Sequence, residues 1–233
     1  MKIVAVYIDD FKINPDLYNR FLSHISQERA RKVDKFHFVE DKIRSIISEL
    51  LLRLSIWEEW GIENKDIHFE YNEFGKPRLK NQSYRYFNIS HSGQWVVVAL
   101  DTGPIGIDIE KIQPIDLSIG EKFFTSLETR QILCQPKPMR TRYFYKFWTL
   151  KESYNKAIGK GLSIPLDSFS FDLSKTNISL QTSTEDGTWF FKLYEHLPDY
   201  ELAVCCSHEN IQDKVEVVTI FELLENLNRR KWI

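Results

Sequence analysis

Cysteine is scarce in this chain: three in 233 residues, two of them adjacent at Cys205 and Cys206. That is a poor basis for a disulfide framework, and the spacing fits no zinc-ligand pattern, so a reducing cytoplasmic setting is expected. Long apolar runs are also missing. None approaches the eighteen or so residues of a membrane span, and the N-terminal run is too short for a signal peptide and ends in Asp9 and Asp10. Charge of one sign is lacking too. A formal net charge of −2 exerts no global pull on nucleic acid or an anionic membrane, so neither is expected as a partner and any anion site must be a local patch. No GxxxxGK(S/T) run occurs, which argues against P-loop chemistry. What is present is ordinary globular material. With 42% hydrophobic and 14% aromatic residues, the chain has ample core for one large domain or two of about a hundred residues.

Hydrophobic periodicity predicts a buried strand over 2–8, helices over 14–30 and 34–60, and strand-like runs near 66–72, 85–90 and 94–101. The second half repeats that order. A strand at 105–110 precedes helices near 117–133 and 141–158, interrupted by Pro136 and Pro138. Strands near 167–173, 188–195, 200–206 and 215–220 follow, and a short amphipathic helix ends the chain. The expectation is an α+β protein of two similar lobes, residues 1–103 and 104–233, with a functional site at the seam between them.

The stretch PIGIDIEK, residues 104–111, alternates Ile105, Ile107 and Ile109 with Gly106, Asp108 and Glu110, the period of a half-buried strand. The isoleucines would face a core, leaving Asp108 and Glu110 on the other face, their Cα atoms roughly 7 Å apart. A solvated sheet edge or a bound cation would each account for two carboxylates so close. In YFYKFWTLKESYNKAIGKGLS, residues 143–163, Phe147, Leu150, Tyr154, Ala157 and Ile158 share one helical face, while Trp148, Glu152 and Lys156 stack along another. Alone, Glu152 and Lys156 are a commonplace surface pair. Taken with the strand, three carboxylates suit a hard cation that keeps waters and shares a phosphate ligand. Mg²⁺ fits that description, and Mn²⁺ also suits oxygen ligands.

Positive charge is densest in SQERARKVDKF, residues 26–36, with Arg29, Arg31, Lys32 and Lys35. It reads as a solvated helix face or as one wall of a phosphate site. EFGKPRL places Lys76 in a tight turn expected to present it outward. FNISHSG, residues 87–93, ends a strand in Ser90, His91 and Ser92, short groups suited to hydrogen-bonding an anion; a charged His91 would donate from both ring nitrogens. A phosphorylated cofactor bridging a cationic cradle and an acid cluster would satisfy both.

FNISHSG, PIGIDIEK, FWTLKESYNKAIGKGLS and EFGKP stand in the order and spacing of Sfp-type 4′-phosphopantetheinyl transferases, a family this sequence resembles over nearly its whole length. The resemblance implies a monomer of two pseudo-twofold-related α+β lobes that binds coenzyme A in the cleft between them. It also implies transfer of phosphopantetheine to a serine of an apo acyl or peptidyl carrier protein, with release of 3′,5′-ADP, generally for peptide or polyketide synthesis. By the same resemblance Asp108, Glu110 and Glu152 are metal ligands, and Glu152 doubles as general base. Lys156 lies near the pyrophosphate, Ser90 and His91 contact phosphates, Lys76 is the turn lysine at the cofactor, and Lys32 sits at the 3′-phosphate. Arg29 stands where the family has lysine, and Ser45 aligns with a hydroxyl residue at the cofactor rim. Carrier proteins are usually acidic, so their docking surface needs positive charge and apolar area, for which residues 121–133 with Phe123 and Phe124 are one candidate. Two other readings share these residues: a non-catalytic coenzyme A or carrier-binding module, and a metal-dependent phosphodiesterase that uses water. The basic ending NLNRRKWI is weak evidence for nucleic acid.

Overall fold

A computed structural model describes residues 1–9, 13–175, 177–183 and 187–229. The end of the basic C-terminal tail, from residue 230, and Asp10 lie outside the described residues.

The first half runs β1 (Lys2–Tyr7), α1 (Pro15–Leu22), α2 (Gln27–Val33), α3 (Val39–Trp60), the ribbon β2 (Phe69–Tyr71) and β3 (Pro77–Leu79), then β4 (Tyr86–Ser92) and β5 (Trp95–Asp101). The second half runs β6 (Ile105–Lys111), α4 (Ser126–Leu133), α5 (Lys137–Ile158), the ribbon β7 (Phe169–Asp172) and β8 (Ser179–Thr182), then β9 (Phe190–Tyr194) and β10 (Tyr200–Cys206). Each half forms an antiparallel sheet in the same order: β1-β5-β4 in one and β6-β10-β9 in the other. Each carries a 22-residue helix that stops at a left-handed glycine, Gly61 (φ +66°) for α3 and Gly159 (φ +77°) for α5. This is the two-lobed α+β architecture with internal pseudo-symmetry.

The chain then recrosses. β11 (Glu216–Val218) pairs in parallel with β1, and α6 (Ile220–Arg229) buries Ile220, Leu223, Leu224 and Leu227 in the core of the first lobe. Residues 104–233 are therefore not one continuous lobe. The C-terminal segment is amphipathic, and its apolar face is covered beside α3.

Side-chain alternation makes the layers. Val4, Val6, Val96 and Val98 join the core under α3, while Ile3, Ala5, Val97 and Ala99 face Ile105, Ile107, Ile109, Leu202 and Val204 of the other sheet. The opposite face of the second sheet packs against α5.

Several predicted boundaries move for local reasons. The helix expected over 14–30 is two helices, because Asn14 caps α1 through the Leu17 N–H and Ser26 starts α2 by accepting from the Arg29 N–H. Residues 117–133 divide likewise into a short 3-10 segment and α4, which opens on a Thr125–Glu128 capping box. The prolines at 136 and 138 do not interrupt α5; they begin it, since a first-turn proline loses no helical hydrogen bond. Phe124 is core, packed on Phe144 and Phe147, while Phe123 is half-buried edge-on to Trp148.

Candidate active site at the seam between the lobes

β6 is not a half-buried strand. Its isoleucines fill the core between the sheets, but residues 105–109 are buried on both faces because α5 lies across the other one. Gly106 makes this possible. A Cβ there would sit 1.9 Å from the Ser153 carbonyl oxygen and 2.4 Å from the Ala157 nitrogen, so a side chain would drive the helix off the strand. Close packing brings Glu152 and Lys156 of α5 to the acids of β6.

The outer edge of β6 meets β4 of the first lobe through side chains. The Ile107, Ile109 and Lys111 N–H groups donate to Asn88 Oδ1 (2.9 Å), Ser90 Oγ (3.3 Å) and Ser92 Oγ (3.1 Å). The two hydroxyls also donate onward, Ser90 to Asp108 Oδ1 at 2.9 Å and Ser92 to Glu110 Oε2 at 2.7 Å. Lys156 Nζ completes the knot, 2.6 Å from Asp108 Oδ1, 3.0 Å from Ser90 Oγ and 3.2 Å from the Ile107 carbonyl. Asp108 is only 3% exposed, and its Oδ2 is a buried acceptor without a protein partner.

All three carboxyls are pushed above their ordinary range. Burial is the main cause for Asp108, opposed by Lys156 and Ser90. Burial and then the Asp108 charge raise Glu110, and the same two causes, in the same order, raise Glu152. One buried and two half-buried carboxyls that repel one another beside an unsatisfied oxygen form an oxygen-rich seat suited to positive charge, so the residues present fit a divalent cation. Among the described residues, the His/Cys/Asp/Glu set whose donor atoms all lie within 4.8 Å of one another is a different one, Asp101, Cys206 and His208. Those groups pair with one another: His208 Nε2 lies 2.8 and 3.0 Å from the Asp101 oxygens, and Cys206 Sγ donates to the His208 carbonyl, while His208 Nδ1 is a buried nitrogen without a partner. The seam acids are more widely spread.

The expected cationic cradle is only partly as the sequence suggests. Arg29 turns inward and donates to Ser45 Oγ (2.9 Å) and the Ser45 carbonyl (3.2 Å), with Glu49 3.8 Å away. The two positions are brought together, but the guanidinium serves α3. Lys32 lies on the exposed face of α2. His91 is at the surface, yet loss of solvent on its protein side, then Arg44 and Lys156, hold its pKa below the ordinary 6.5. Lys76 does not point outward. Its ammonium reaches across the seam to the carbonyls of Ile105 (3.3 Å), Ala157 (3.1 Å) and Lys156 at the end of α5, and burial lowers its pKa to about 8. The helix-end carbonyls are unpaired acceptors that draw in a donor. A cavity of about 260 Å³ opens beside it, lined by Lys76, Asn88, Glu152, Lys156 and the Phe74–Gly75 turn.

The comparison with known proteins settles the family. A family model described as the 4′-phosphopantetheinyl transferase superfamily matches residues 104–205, and one described as 4′-phosphopantetheinyl transferase, N-terminal, matches residues 12–103. The chain is 40% identical over 225 residues to 4′-phosphopantetheinyl transferase Sfp of Bacillus subtilis, covering 96% of this chain and 100% of that one. This chain belongs to the Sfp-type 4′-phosphopantetheinyl transferases. It is also 39% identical over 165 residues to 4′-phosphopantetheinyl transferase gsp of Aneurinibacillus migulanus, covering 71% of this chain and 69% of that one. A solved holo-[acyl-carrier-protein] synthase of Thermotoga maritima superposes with a TM-score of 0.40 at 21% identity, over 48% of this chain and 66% of that one, too slight a likeness to carry an argument.

For this phosphopantetheinyl transferase, sequence reasoning missed Asn88, the pairing of Ser92 with Glu110, and Arg44. The first two had a signal: Asn88, Ser90 and Ser92 alternate with Ile89 and His91, so the same period of two that pairs the acids of β6 also pairs their hydroxyl partners. Arg44 had none. It holds the turn after β4 by donating to the Gly93 carbonyl at 2.9 Å while paired to Asp41 at 2.6 Å.

Proposed function

We propose that this transferase takes phosphopantetheine from coenzyme A at the seam and passes it to a serine hydroxyl of an apo acyl or peptidyl carrier protein, releasing 3′,5′-ADP. The observation that carries this reading is the lobe-spanning knot of Asp108, Ser90 and Lys156, with Glu110 and Glu152 beside it and one Asp108 oxygen left unsatisfied. Asp108, Glu110 and Glu152 would hold Mg²⁺ or Mn²⁺. When bound, the ion supplies charge neutralisation at the phosphate oxygens of the donor.

The chain's own groups then have distinct tasks. A serine hydroxyl is a weak nucleophile at neutral pH, and Glu152, the seam acid that lines the cavity, would accept its proton. Lys156 brings positive charge to the same wall, suited to the leaving phosphate. His91, near enough to Arg44 and Lys156 to feel their charge, would meet the phosphates of coenzyme A together with Lys32, and Ser45 with Arg29 would form the rim. Lys76 fixes the lobes at the cavity floor and leaves its stem, with Phe74 and Gly75, to line it. The carrier would dock near α4 and the start of α5, where Ile119, Leu133 and Met139 are exposed beside Arg130 and Lys137. We read the protein as a cytoplasmic monomer serving peptide or polyketide synthesis, with nucleic acid and membrane playing no part.

The test is intact-mass analysis of an apo peptidyl carrier protein after incubation with coenzyme A, Mg²⁺ and the enzyme. The carrier gains the mass of phosphopantetheine, the gain requires metal, and Glu152→Gln slows it by about 10²- to 10⁴-fold. Hydrolysis of coenzyme A at equal rate with and without carrier would instead support the phosphodiesterase reading.

A further inference from the structure

β4 and β6 run side by side without a main-chain ladder. Three N–H groups of β6, two residues apart, instead find acceptors in three side chains of β4, also two residues apart: Asn88 with Ile107, Ser90 with Ile109, Ser92 with Lys111. The two serines are used alike toward β6, though Ser90 also accepts from Lys156. Each hydroxyl accepts from the residue after an acid and donates to that acid, Ser90 to Asp108 and Ser92 to Glu110. At the first rung the corresponding β6 residue is Gly106, which has no carboxylate, and there the β4 residue is an amide. A hydroxyl carries one proton and accepts with its lone pairs. At Ser92 its one proton is given to Glu110 Oε2, while the Lys111 N–H holds its oxygen in place.

From this we infer that Ser92 is a positioning residue for Glu110, fixing that carboxylate for the cation from the opposite lobe. Glu110 sits near the end of β6 and is only half-buried; Lys156 acts on it through space but makes its 2.6 Å contact with Asp108, and less of the core encloses Glu110 to restrict its rotamers. Ser92 Oγ donates a hydrogen bond to its carboxylate at 2.7 Å. A ligand left to rotate costs affinity even when its charge is intact, and losing a hydrogen-bonding partner of a metal ligand commonly costs about 10- to 100-fold in metal affinity. The acid pair is then set by the register of two lobes, and correct docking of β4 against β6 is what completes the cation seat.

This inference rests on the proposed cation seat, and the two are tested separately by Mn²⁺ binding to the whole protein without carrier, read from the electron paramagnetic resonance of free Mn²⁺. Wild type and Glu152→Gln report on the seat. Ser92→Ala and Ser92→Thr report on the hydroxyl, since threonine keeps the donor and suits a strand. The expected result is Mn²⁺ affinity weakened about tenfold or more in Ser92→Ala and restored to within about threefold in Ser92→Thr, with equal melting temperatures. In turnover, the Mg²⁺ requirement of Ser92→Ala rises by a similar factor while kcat at saturating metal stays within about twofold of wild type. Wild-type affinity in Ser92→Ala overturns the role of Ser92 and leaves the cation seat standing. A melting temperature lowered together with affinity, equally in both variants, also overturns it, marking a brace and nothing more. Failure of wild type itself to bind Mn²⁺, with or without coenzyme A, overturns the seat and the inference with it. If Ser92→Ala does not fold, Ser92→Cys, a weaker donor on the same stem, must fall between wild type and complete loss for the inference to hold.

Discussion

The first strand of each lobe has the same partner on its inner edge and a different one on its outer edge. β1 is flanked by β5 and, outside, by β11 in parallel main-chain register, Val4 opposite Glu216 and Val6 opposite Val218. β6 is flanked by β10 and, outside, by the side chains of Asn88, Ser90 and Ser92. A main-chain ladder satisfies the edge and leaves nothing over. A side-chain ladder satisfies the same N–H groups and has protons to spare, which here go to Asp108 and Glu110. Copies of one topology thus diverge at a single edge, one closed for stability and the other finished with groups that aim two acids.

The helices over the sheets differ in the same sense, and the largest expected effect breaks that difference. α5 is tied down by Lys151, fully buried with Glu128 at 2.9 Å and donating to the Leu166 and Phe169 carbonyls at 2.6 and 2.7 Å. Lys151→Met leaves Glu128 buried and uncompensated and costs about 3–5 kcal/mol in urea unfolding. Next comes Gly106→Ala. The new methyl meets α5 backbone rather than a yielding side chain, so the variant loses about 2–3 kcal/mol and, because the helix moves, activity falls with stability. On the helix-facing side of β1 stand Val4 and Val6, full side chains that pack in the core under α3.

A smaller effect is pH-dependent. Glu201, opposite Glu110 across β6 and β10, is 0% exposed, and burial raises its pKa to about 7 despite Lys146 and Arg142, whose Nη1 is 3.0 Å away. An acid whose folded pKa exceeds its unfolded value holds its proton more tightly when folded, so its contribution to stability is lost as pH rises from about 4.5 through about 7. Glu201→Gln should therefore gain about 2 kcal/mol relative to wild type between pH 5 and pH 8, measured as the difference of unfolding free energies at the two pH values. The smallest effect sharpens the contrast between the lobes. Arg229 of α6, which packs on the first lobe, pairs with Glu225 at 2.6 Å, but both are exposed, and Arg229→Ala costs about 0.5 kcal/mol, set against the several for Lys151.

Much of this was legible from spacing alone. The isoleucines of β6, the Glu152–Lys156 stripe and the apolar face of α3 each follow a period that one strand or helix imposes, and the duplicated order of elements could be counted. Where reading failed, the deciding partner was distant or the signal was local chemistry. Ser26 and Thr125 divided expected helices by capping. β8, Ser179–Thr182, has no apolar alternation and pairs only because β7 lies beside it. Arg29 and Lys76 were read as outward cations because a sequence shows charge and not the unpaired carbonyls or hydroxyls that recruit it.

By itself the sequence determined which residues alternate, where helices can start and stop, and that three acids and a lysine fall on faces able to meet. These follow from backbone periodicity and capping, which act within a few residues. Only the tertiary structure decided that Asp108 is buried on a strand covered from both sides, that Lys76 spans the lobes, that the C-terminal segment returns to the first sheet, and that Ser92 reaches Glu110. Each of those joins residues far apart in the chain, through close packing and hydrogen-bond satisfaction that no local pattern encodes.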